Sequence, residues 1–339
     1  MTVLNKKRNI ALVYGGDSLE WEISVLSGRN VAWHLNRKRY DVYEILLRGS
    51  SWRVVKTPEG DLDEGDWGQI NKADFSFVHH GEKVRFDVAL MMIHGAPGEN
   101  GVLPSYFEAM RIPYTTSSSY VSALTFDKYA CKCHLLENGI QMAKDVVVSK
   151  GTSIDLSAIV ETLGLPLFVK PNSGGSSFGA AKATTIEELA TAITRALDEC
   201  PTVLVEEYIA GRELTNGMLK TSTQTVTLPV TEIVSKNDFF DYQAKYQGAS
   251  EEITPAPIPD ALRNKVQRLT SKIYDLLGCN GFIRVDYIVR GTEVVFLEVN
   301  TIPGMTRMSL VPQQVAASGM KMETFLELLI EDAVLRLGH

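Results

Sequence analysis

Residues 296–306 read FLEVNTIPGMT, and this stretch decides how the last part of the chain is organised. It begins like a buried strand, but Glu298 and Asn300 are two residues apart, so their side chains share one strand face. The segment FIRVDYIV just before it sets Arg284 and Asp286 at the same spacing. A Gly-Thr turn separates the two segments, which predicts a hairpin with all four side chains on one surface.

This polar surface allows two interpretations. Asp, Glu and Asn offer only oxygen ligands, the set that suits Mg²⁺, and Mg²⁺ typically takes one or two carboxylates together with substrate phosphates. The alternative is a solvated outer face of an edge hairpin. The apolar residues that flank the polar ones indicate a covered face and therefore favour the metal site.

A metal of this kind predicts a phosphate-binding loop elsewhere in the chain. Lys170 ends the strand PLFVKP and is followed by NSGGSSFG, whose glycines let the main chain approach an anion and whose serines add donors. Neither a GK[ST] motif nor a GxGxxG fingerprint occurs. A Gly/Ser-rich segment is more often a plain turn, but the lysine before it brings the two alternatives close to even.

The order of the segments predicts a combination of α/β and α+β units. In the first third, the strands NIALVYGG (9–16), DVYEILL (41–47) and FDVALMMIHG (86–95) alternate with helices, which predicts a parallel sheet covered on both faces. The turns GGDS and HGAPGENG follow two of these strands, where such sheets bind ligands. A long helix over 122–139 opens the middle third, and long antiparallel strands characterise the last third.

The composition is that of an ordinary globular protein. Its 339 residues, 45% apolar and 22% charged, are enough for two or three domains. The net charge of −7 argues against nucleic-acid binding through a broad basic surface. No apolar run approaches the roughly 20 residues of a membrane-spanning helix, and IALVY is too short for a signal peptide. We therefore expect a cytoplasmic protein without membrane partners, with four reduced cysteines.

Three further features have two interpretations each. The polar segment KNDFFDYQAKYQGASEEITP is either an exposed loop or a lid that closes over a nucleotide. Glu20 either favours the dipole of the following helix, the preferred interpretation, or binds the ammonium group of a ligand. His94 ends a buried strand and is either a core histidine, slightly favoured, or a residue that faces a ligand.

Taken together, the chain resembles the D-alanine–D-alanine ligases of the ATP-grasp superfamily over nearly its whole length. The order and spacing of eight stretches carry the resemblance: GGDSLEWEIS (15–24), HGAPGENG (94–101), TFDKYACK (125–132), VKPNSGGSSFG (169–179), EEYIAGRE (206–213), DYQAKY (241–246), GFIRVDYI (281–288) and LEVNTIPGMTRMSLVP (297–312). The resemblance implies a three-domain ATP-grasp fold, with an N-terminal α/β substrate-binding domain at 1–121, a central α+β domain at 122–210, and a C-terminal catalytic α+β domain at 211–339 with a lid at 236–254.

The resemblance also implies that ATP is gripped between the central and C-terminal domains. The implied residues are Lys128 and Lys170 at the phosphates, Lys245 on the lid near the γ-phosphate, Glu206, Glu207 and Ile209 at adenine, Glu213 at ribose, and Asp286, Glu298 and Asn300 at two Mg²⁺ ions. Mn²⁺ is an alternative metal.

The implied substrates are two D-alanine molecules, joined through an acyl phosphate to give a peptidoglycan precursor. The carboxylate of the first attacks the γ-phosphate, and the amine of the second then attacks the acyl carbon. The implied residues are Glu20 at the first ammonium group, Ser176 and Tyr246 in a hydrogen-bonded set with Glu20, Arg284 and the Gly304 amide at the oxyanion, Ser309 and Leu310 at the second carboxylate, and His94 beside the substrates.

Several alternatives stand beside this interpretation. Enzymes of the same fold join D-alanine to D-lactate or D-serine, but the intact DYQAKY lid with Tyr246 resembles the dipeptide-forming branch. A nucleotide-binding protein without ligase activity is disfavoured because every expected phosphate- and metal-binding position carries the expected residue type. A Rossmann-type oxidoreductase is disfavoured because GxGxxG is absent. The family is usually a homodimer through its first domain.

Two positions depart from the pattern of many relatives. Pro104-Ser105 stands where Gln-Gly is common, and we expect a structural effect because proline suits an early helical position. Glu207 stands where lysine is common, which leaves a main-chain contact to the nucleotide but puts a side-chain contact in doubt.

Overall fold

The computed structural model describes residues 7–56, 65–176, 178–235 and 250–337. Its helices are α1 Trp21–His34, α2 Val102–Met110, α3 Ser119–Phe126, α4 Lys128–Leu136, α5 Leu156–Leu163, α6 Ile186–Glu199, α7 Asp260–Leu277, α8 Leu310–Ala317 and α9 Met322–Leu337. Its strands are β1 Arg8–Gly15, β2 Tyr40–Arg48, β3 Ser51–Lys56, β4 Gly65–Gln69, β5 Ser76–His79, β6 Glu82–Arg85, β7 Val88–Met92, β8 Asp145–Ser149, β9 Leu167–Pro171, β10 Ala181–Ala183, β11 Thr202–Glu207, β12 Arg212–Lys220, β13 Thr225–Ser235, β14 Ser250–Ile253, β15 Phe282–Arg290 and β16 Glu293–Asn300. Among these helices, none combines the length and the apolarity needed to cross a membrane.

The first sheet has the strand order β4-β3-β2-β1-β7. Strand β1 runs parallel to both β2 and β7, which confirms the predicted parallel arrangement at its centre. Strands β3 and β4 extend one edge in antiparallel pairing. Only residues 49–50 link β2 to β3, and so short a connection can join two strands only as a hairpin.

Different helices cover the two faces of this sheet, as predicted. Alternate residues of β1, including Ile10 and Leu12, pack with residues of α1 and α9. The intervening residues, including Val13, pack with residues of α2. Helix α1 lies so close to the sheet that a Cβ at Gly28 would collide with the ring of Tyr14. The last helix of the chain therefore completes a core that the first strand begins.

The other two large sheets are antiparallel. The second, β10-β9-β11-β8, packs against α5 and α6. The third, β14-β13-β12-β15-β16, packs against α7. A parallel-centred sheet followed by two antiparallel sheets with helices confirms the predicted combination of α/β and α+β units.

The prediction of one helix over 122–139 is wrong, because two helices occupy this segment. Helix α3 ends one residue before Asp127, and α4 begins one residue after it. Asp127 is extended, with φ −86° and ψ 99°, and its side chain caps α4 by accepting from the N–H of Ala130 at 2.8 Å. The break puts Lys128 at the start of α4, where its Nζ donates to the Gly174 carbonyl at 2.7 Å.

Strands β15 and β16 form the predicted hairpin. Asp286 lies opposite Glu298, and Arg284 lies opposite Asn300, so the four side chains share one face. Asp286 is only 6% exposed, and the other three residues are partly buried. The interpretation as a solvated outer face is therefore wrong, even though β16 is the edge strand of its sheet.

Candidate active site

Two adjoining cavities lie between the three large sheets and bring most of the predicted site residues together. The first is lined by Glu20, His94, Ser176, Arg284, Asn300, Gly304, Ser309 and Leu310. The second is lined by Lys170, Glu206, Glu207, Ile209, Glu213 and Asp286. Lys128, Ser176 and Glu298 line both. The predicted substrate residues thus face one cavity, the predicted nucleotide residues face the other, and the two cavities meet at the loop after β9. Lys245 and Tyr246 lie outside the described residues.

Glu20 and Ser176 join the first sheet to the loop after β9. Glu20 is the N-cap residue of α1, but its side chain makes no capping hydrogen bond. Its Oε1 instead accepts a hydrogen bond from Ser176 Oγ. A Cβ at Gly175 would collide with the Glu20 carboxylate, so this approach requires glycine. The side chain of Glu20 therefore does more than complement a helix dipole, because it forms one wall of the first cavity.

Lys170 is held by a buried chain of charges. Its Nζ lies 2.7 Å from Glu206 Oε2, and Glu206 Oε1 accepts from Lys132 Nζ at 2.6 Å. Lys132 also lies 2.5 Å from Asp145 Oδ1. Burial acts to raise the pKa of Glu206, but the charges of Lys170 and Lys132 outweigh it and hold that pKa below its usual value. Both oxygens of Glu206 are therefore committed to lysines.

Lys132 and Asp145 were not predicted as site residues. Lys132 follows Lys128 by four residues within α4, a spacing that puts both on one helix face, and TFDKYACK contains both. That spacing is the only sequence signal for Lys132. Its partners lie 13 and 74 positions further along the chain (Asp145 and Glu206), so only the fold reveals the network.

The two departures from the family pattern have local structural explanations. Pro104 is buried in the first turn of α2, as the sequence predicts. Glu207 pairs with the main chain of Lys144: its N–H donates to the Lys144 carbonyl at 3.0 Å, and its Oε1 accepts from the Lys144 N–H at 2.9 Å. The carboxylate of Glu207 therefore anchors the rim of the second cavity.

The oxygen donors on the hairpin fit a hard cation. The carboxylate of Glu298 accepts no hydrogen bond from any described residue, and Glu298 lines both cavities. Asn300 donates through Nδ2 to Asp286 Oδ2 at 3.1 Å, which leaves its amide oxygen for another contact. The set of two carboxylates and one amide matches the ligand preference of Mg²⁺.

The carboxylate of Asp286 accepts several hydrogen bonds, whereas that of Glu298 accepts none from the described residues. Arg284 donates to both of its oxygens, at 2.9 and 2.7 Å, and Thr215 Oγ1 donates to Oδ1 at 2.6 Å. With Asn300, these donors use the four lone-pair positions that a carboxylate offers. A cation at Asp286 would therefore bind in exchange for one of these donors.

Residues 302–306 form a turn after β16 that carries Gly304. The N–H groups of Ile302, Met305 and Thr306 each donate to a side chain. Position 303 is proline, and the N–H of Gly304 makes no hydrogen bond to any described residue. A Cβ at Gly304 would lie 2.8 Å from Ser309 Oγ, so a larger residue here would displace that hydroxyl. The open amide faces the first cavity.

His94 lines the first cavity but uses both ring nitrogens within the protein. Nε2 lies 2.8 Å from Ser27 Oγ, and Nδ1 lies 2.7 Å from the Ile302 carbonyl. Burial lowers the pKa of His94, which favours the neutral ring. The core-histidine interpretation therefore accounts for its polar contacts, and any substrate contact would come from its ring carbons.

Glu99, from the HGAPGENG stretch, is a cavity residue that was not predicted. Its two oxygens accept from the N–H of Gly95 at 2.7 Å and from the N–H of Ile302 at 3.1 Å. Burial and the nearby charge of Glu20 raise the pKa of Glu99 to about 7. It therefore links the turn after β7 to the turn after β16.

The chain is similar to known ligases over nearly its whole length. Two family models match, D-ala D-ala ligase N-terminus over residues 9–117 and D-ala D-ala ligase C-terminus over residues 135–331. The D-alanine–D-alanine ligase of Phocaeicola vulgatus is 45% identical over 327 residues, 96% of this chain and 99% of the relative. That of Porphyromonas gingivalis is 41% identical over 331 residues, 97% of this chain and 98% of the relative.

Solved structures of two such ligases share the fold. The VanG D-Ala:D-Ser ligase of Enterococcus faecalis has a TM-score of 0.83 at 30% identity and covers 97% of this chain and 100% of its own. The D-alanine–D-alanine ligase of Bacillus anthracis complexed with ATP has a TM-score of 0.77 at 27% identity and covers 98% of this chain and 99% of its own.

Proposed function

The chain belongs to the D-alanine–D-alanine ligase family, the ADP-forming enzymes that use ATP and Mg²⁺ to join two D-alanines for peptidoglycan synthesis, and from this premise we propose how its residues perform the reaction. The meeting of the two cavities at Lys128, Ser176 and Glu298 carries the proposal. It allows the phosphate end of a nucleotide in the second cavity to touch a carboxylate substrate in the first.

Binding of the first D-alanine falls to Glu20. Its carboxylate is fixed by Ser176 and pairs with the substrate ammonium group, so the substrate carboxylate points toward the shared loop. The family resemblance adds Tyr246, which lies outside the described residues, to this set. His94 supports this wall of the cavity rather than bonding the substrate directly.

Binding of ATP falls to the second cavity. Lys128 and Lys170 hold the phosphates, and the family resemblance assigns Lys245, which lies outside the described residues, to the γ-phosphate. Adenine lies against the main chain of Glu206, Glu207 and Ile209, and ribose is bound by Glu213. Asp286, Glu298 and Asn300 would hold Mg²⁺, which would supply positive charge to offset that of the phosphates. The lysines lower the cost of the same charge, because phosphoryl transfer depends mainly on positioning and electrostatics.

The second half of the reaction uses the first cavity alone. Ser309 is the N-cap residue of α8 and Leu310 is its first residue, and the main-chain N–H groups in the first turn of this helix bind the carboxylate of the second D-alanine. Its amine loses a proton with help from the Glu20–Ser176–Tyr246 set and attacks the acyl carbon. Arg284 and the open Gly304 amide stabilise the oxyanion that forms, and phosphate leaves.

The dipeptide is the product best supported for this chain. The curated relatives at 41–45% identity are named D-alanine–D-alanine ligases, whereas the D-Ala:D-Ser ligase of known structure is 30% identical. D-Serine and D-lactate therefore serve as competing second substrates in any product assay.

We also propose that the chain works as a cytoplasmic homodimer. Leu19, Leu26 and Trp33 are 67%, 51% and 73% exposed. Leu26 and Trp33 are seven residues apart within α1 and therefore share one helix face, and Leu19 precedes that helix by two residues; we call these three residues the stripe on α1. Exposed stripes of this kind commonly mark protein interfaces.

The proposed domains are 1–121, 122–210 and 211–339. The first boundary falls within α3, so a helix joins the first two domains. The second falls in the turn between β11 and β12. Helix α9 belongs to the third domain by sequence but shares the core of the first sheet.

The test is ADP release and product analysis with ATP, Mg²⁺ and D-alanine. We expect D-alanyl-D-alanine and ADP in equal amounts, no turnover with L-alanine, and loss of turnover in Glu298→Gln. Turnover that does not depend on D-alanine would contradict the proposed function. So would a main product containing D-serine or D-lactate when these are present at the same concentration as D-alanine.

A further inference from the structure

The turn that carries Gly304 is fastened by side chains from the first sheet unit. Ser27 Oγ accepts from the N–H of Met305 at 3.1 Å, and Asn30 Nδ2 donates to the carbonyl of Met305 at 2.7 Å. Both side chains project from α1, more than 270 positions earlier in the chain. Neither residue lines either of the two cavities described above, and neither was predicted to be functional.

The other side of Gly304 is fastened from the same unit. His94 Nδ1 lies 2.7 Å from the Ile302 carbonyl, and Glu99 accepts from the N–H of Ile302 at 3.1 Å. A carbonyl can only accept, so His94 carries its proton on Nδ1. Nε2 is then an acceptor and takes the hydroxyl proton of Ser27 at 2.8 Å. One continuous chain of donors therefore runs from the Met305 N–H through Ser27 and His94 to the Ile302 carbonyl.

These contacts hold the main chain in place on both sides of the Pro303-Gly304 pair. The N–H and carbonyl groups of Ile302 and Met305 are all bonded to side chains of the first sheet unit. The Gly304 N–H between them has no bond to any described residue and faces the first cavity. We propose that Ser27 and Asn30, together with His94, are positioning residues that aim the Gly304 amide at the oxyanion of the second half-reaction.

This inference rests on the proposed function but makes a separate prediction, because the two half-reactions use the turn differently. Phosphoryl transfer to the first D-alanine forms no oxyanion at the acyl carbon, so it needs no oxyanion donor. Attack by the second amine does need one, and oxyanion donors act only when aimed at the developing charge. Loosening the turn should therefore leave acyl phosphate and ADP forming while dipeptide formation slows. Water then attacks the acyl phosphate, which returns D-alanine and releases phosphate.

The experiment measures ADP and D-alanyl-D-alanine in the same reaction mixture. Asn30→Asp keeps the side-chain shape but replaces the donor to Met305, and Ser27→Ala removes the hydroxyl between Met305 and His94. The matched control is Asn138→Asp, which alters an amide that donates to the His134 carbonyl at 3.2 Å, away from both cavities. Thermal unfolding of each variant reports whether it is folded.

We expect both α1 variants to lower the dipeptide rate about 10-fold or more, the order expected when an oxyanion donor is misplaced. The ratio of ADP to dipeptide should rise from one to above two, with the KM for ATP unchanged, while the control keeps a ratio of one. If either α1 variant folds like the wild type and still gives a ratio of one, the inference is overturned. Failure of the proposed function would look different, because the wild type itself would then form no D-alanyl-D-alanine.

Discussion

Lys132 Nζ lies 2.6 Å from Glu206 Oε1, and the two side chains are only 4% and 6% exposed. Glu206 in turn lies 2.7 Å from Lys170, a proposed phosphate ligand. The position of a proposed ATP-binding residue thus depends on a lysine that does not line either cavity.

Replacing Lys132 tests this dependence. Lys132→Met leaves Glu206 paired with Lys170 alone and leaves Asp145 without its lysine. Removing one partner of a buried ion pair typically costs about 3–5 kcal/mol. We expect the free energy of unfolding to fall by about 3 kcal/mol and the KM for ATP to rise, measured by denaturant unfolding and initial rates. Lys150→Met changes an exposed lysine and should alter neither quantity. Equal effects of the two substitutions would refute the role of Lys132.

Glu99 gives a pH-dependent stability with a definite sign. Its pKa is about 7 in the folded protein against a usual 4.5, so the folded state holds a proton that the unfolded state has lost. Stability therefore falls as pH rises from about 4.5 to 7, and the loss is complete above the folded pKa. We expect the denaturation midpoint of the wild type, relative to Glu99→Gln, to decrease across this window. A pH-independent difference between the two proteins would contradict the assignment.

Gly175 tests the approach of the loop to Glu20. In Gly175→Ala the new Cβ collides with the Glu20 carboxylate and displaces the group that is proposed to bind the first ammonium. We expect kcat/KM for D-alanine to fall roughly 10²-fold, because a displacement near 1 Å costs that much at a positioned group. Glu161→Ala is the control, since Glu161 is exposed on α5 and lines neither cavity. Unchanged kinetics in Gly175→Ala would show that Glu20 does not need this approach.

The stripe on α1 predicts the behaviour of the homodimer. Trp33→Glu puts a charge at the most exposed of its three members, and burying an unpaired charge in an interface is costly. Light scattering of the wild type should give the mass of two chains, and that of Trp33→Glu the mass of one. Tyr120→Glu, at an aromatic residue that is 68% exposed on α3, should remain dimeric. A monomeric wild type would end the proposal.

The hairpin face could be predicted because its information is local. Arg284, Asp286, Glu298 and Asn300 follow a two-residue period within two adjacent strands, and a short turn fixes their pairing. The same holds for Lys170 and the Gly-rich loop, which are contiguous in sequence. The family resemblance then assigned roles to positions that periodicity alone left open, such as Glu20.

The features that escaped prediction depend on contacts between distant segments or on competition between local signals. The role of Lys132 depends on its contact with Glu206, and the role of Ser27 depends on its contact with Met305. Neither pair follows a sequence period. The break between α3 and α4 was missed because apolar periodicity continues across Asp127, whose capping tendency outweighs it. Edge strands β3 and β4 are short and end at the gap in the described residues, so their pairing had little signal.

The packing of α9 on the first sheet affects how the chain folds during synthesis. Ile10 and Leu12 share their core with Phe325 and Leu329, so one face of the sheet has no complete partner until α9 has left the ribosome. During synthesis the first unit therefore has an exposed apolar face, which favours chaperone binding and aggregation. Deletion of α9 would leave this face of the first sheet exposed permanently. A change late in the sequence would thus destabilise the unit that the first strand begins.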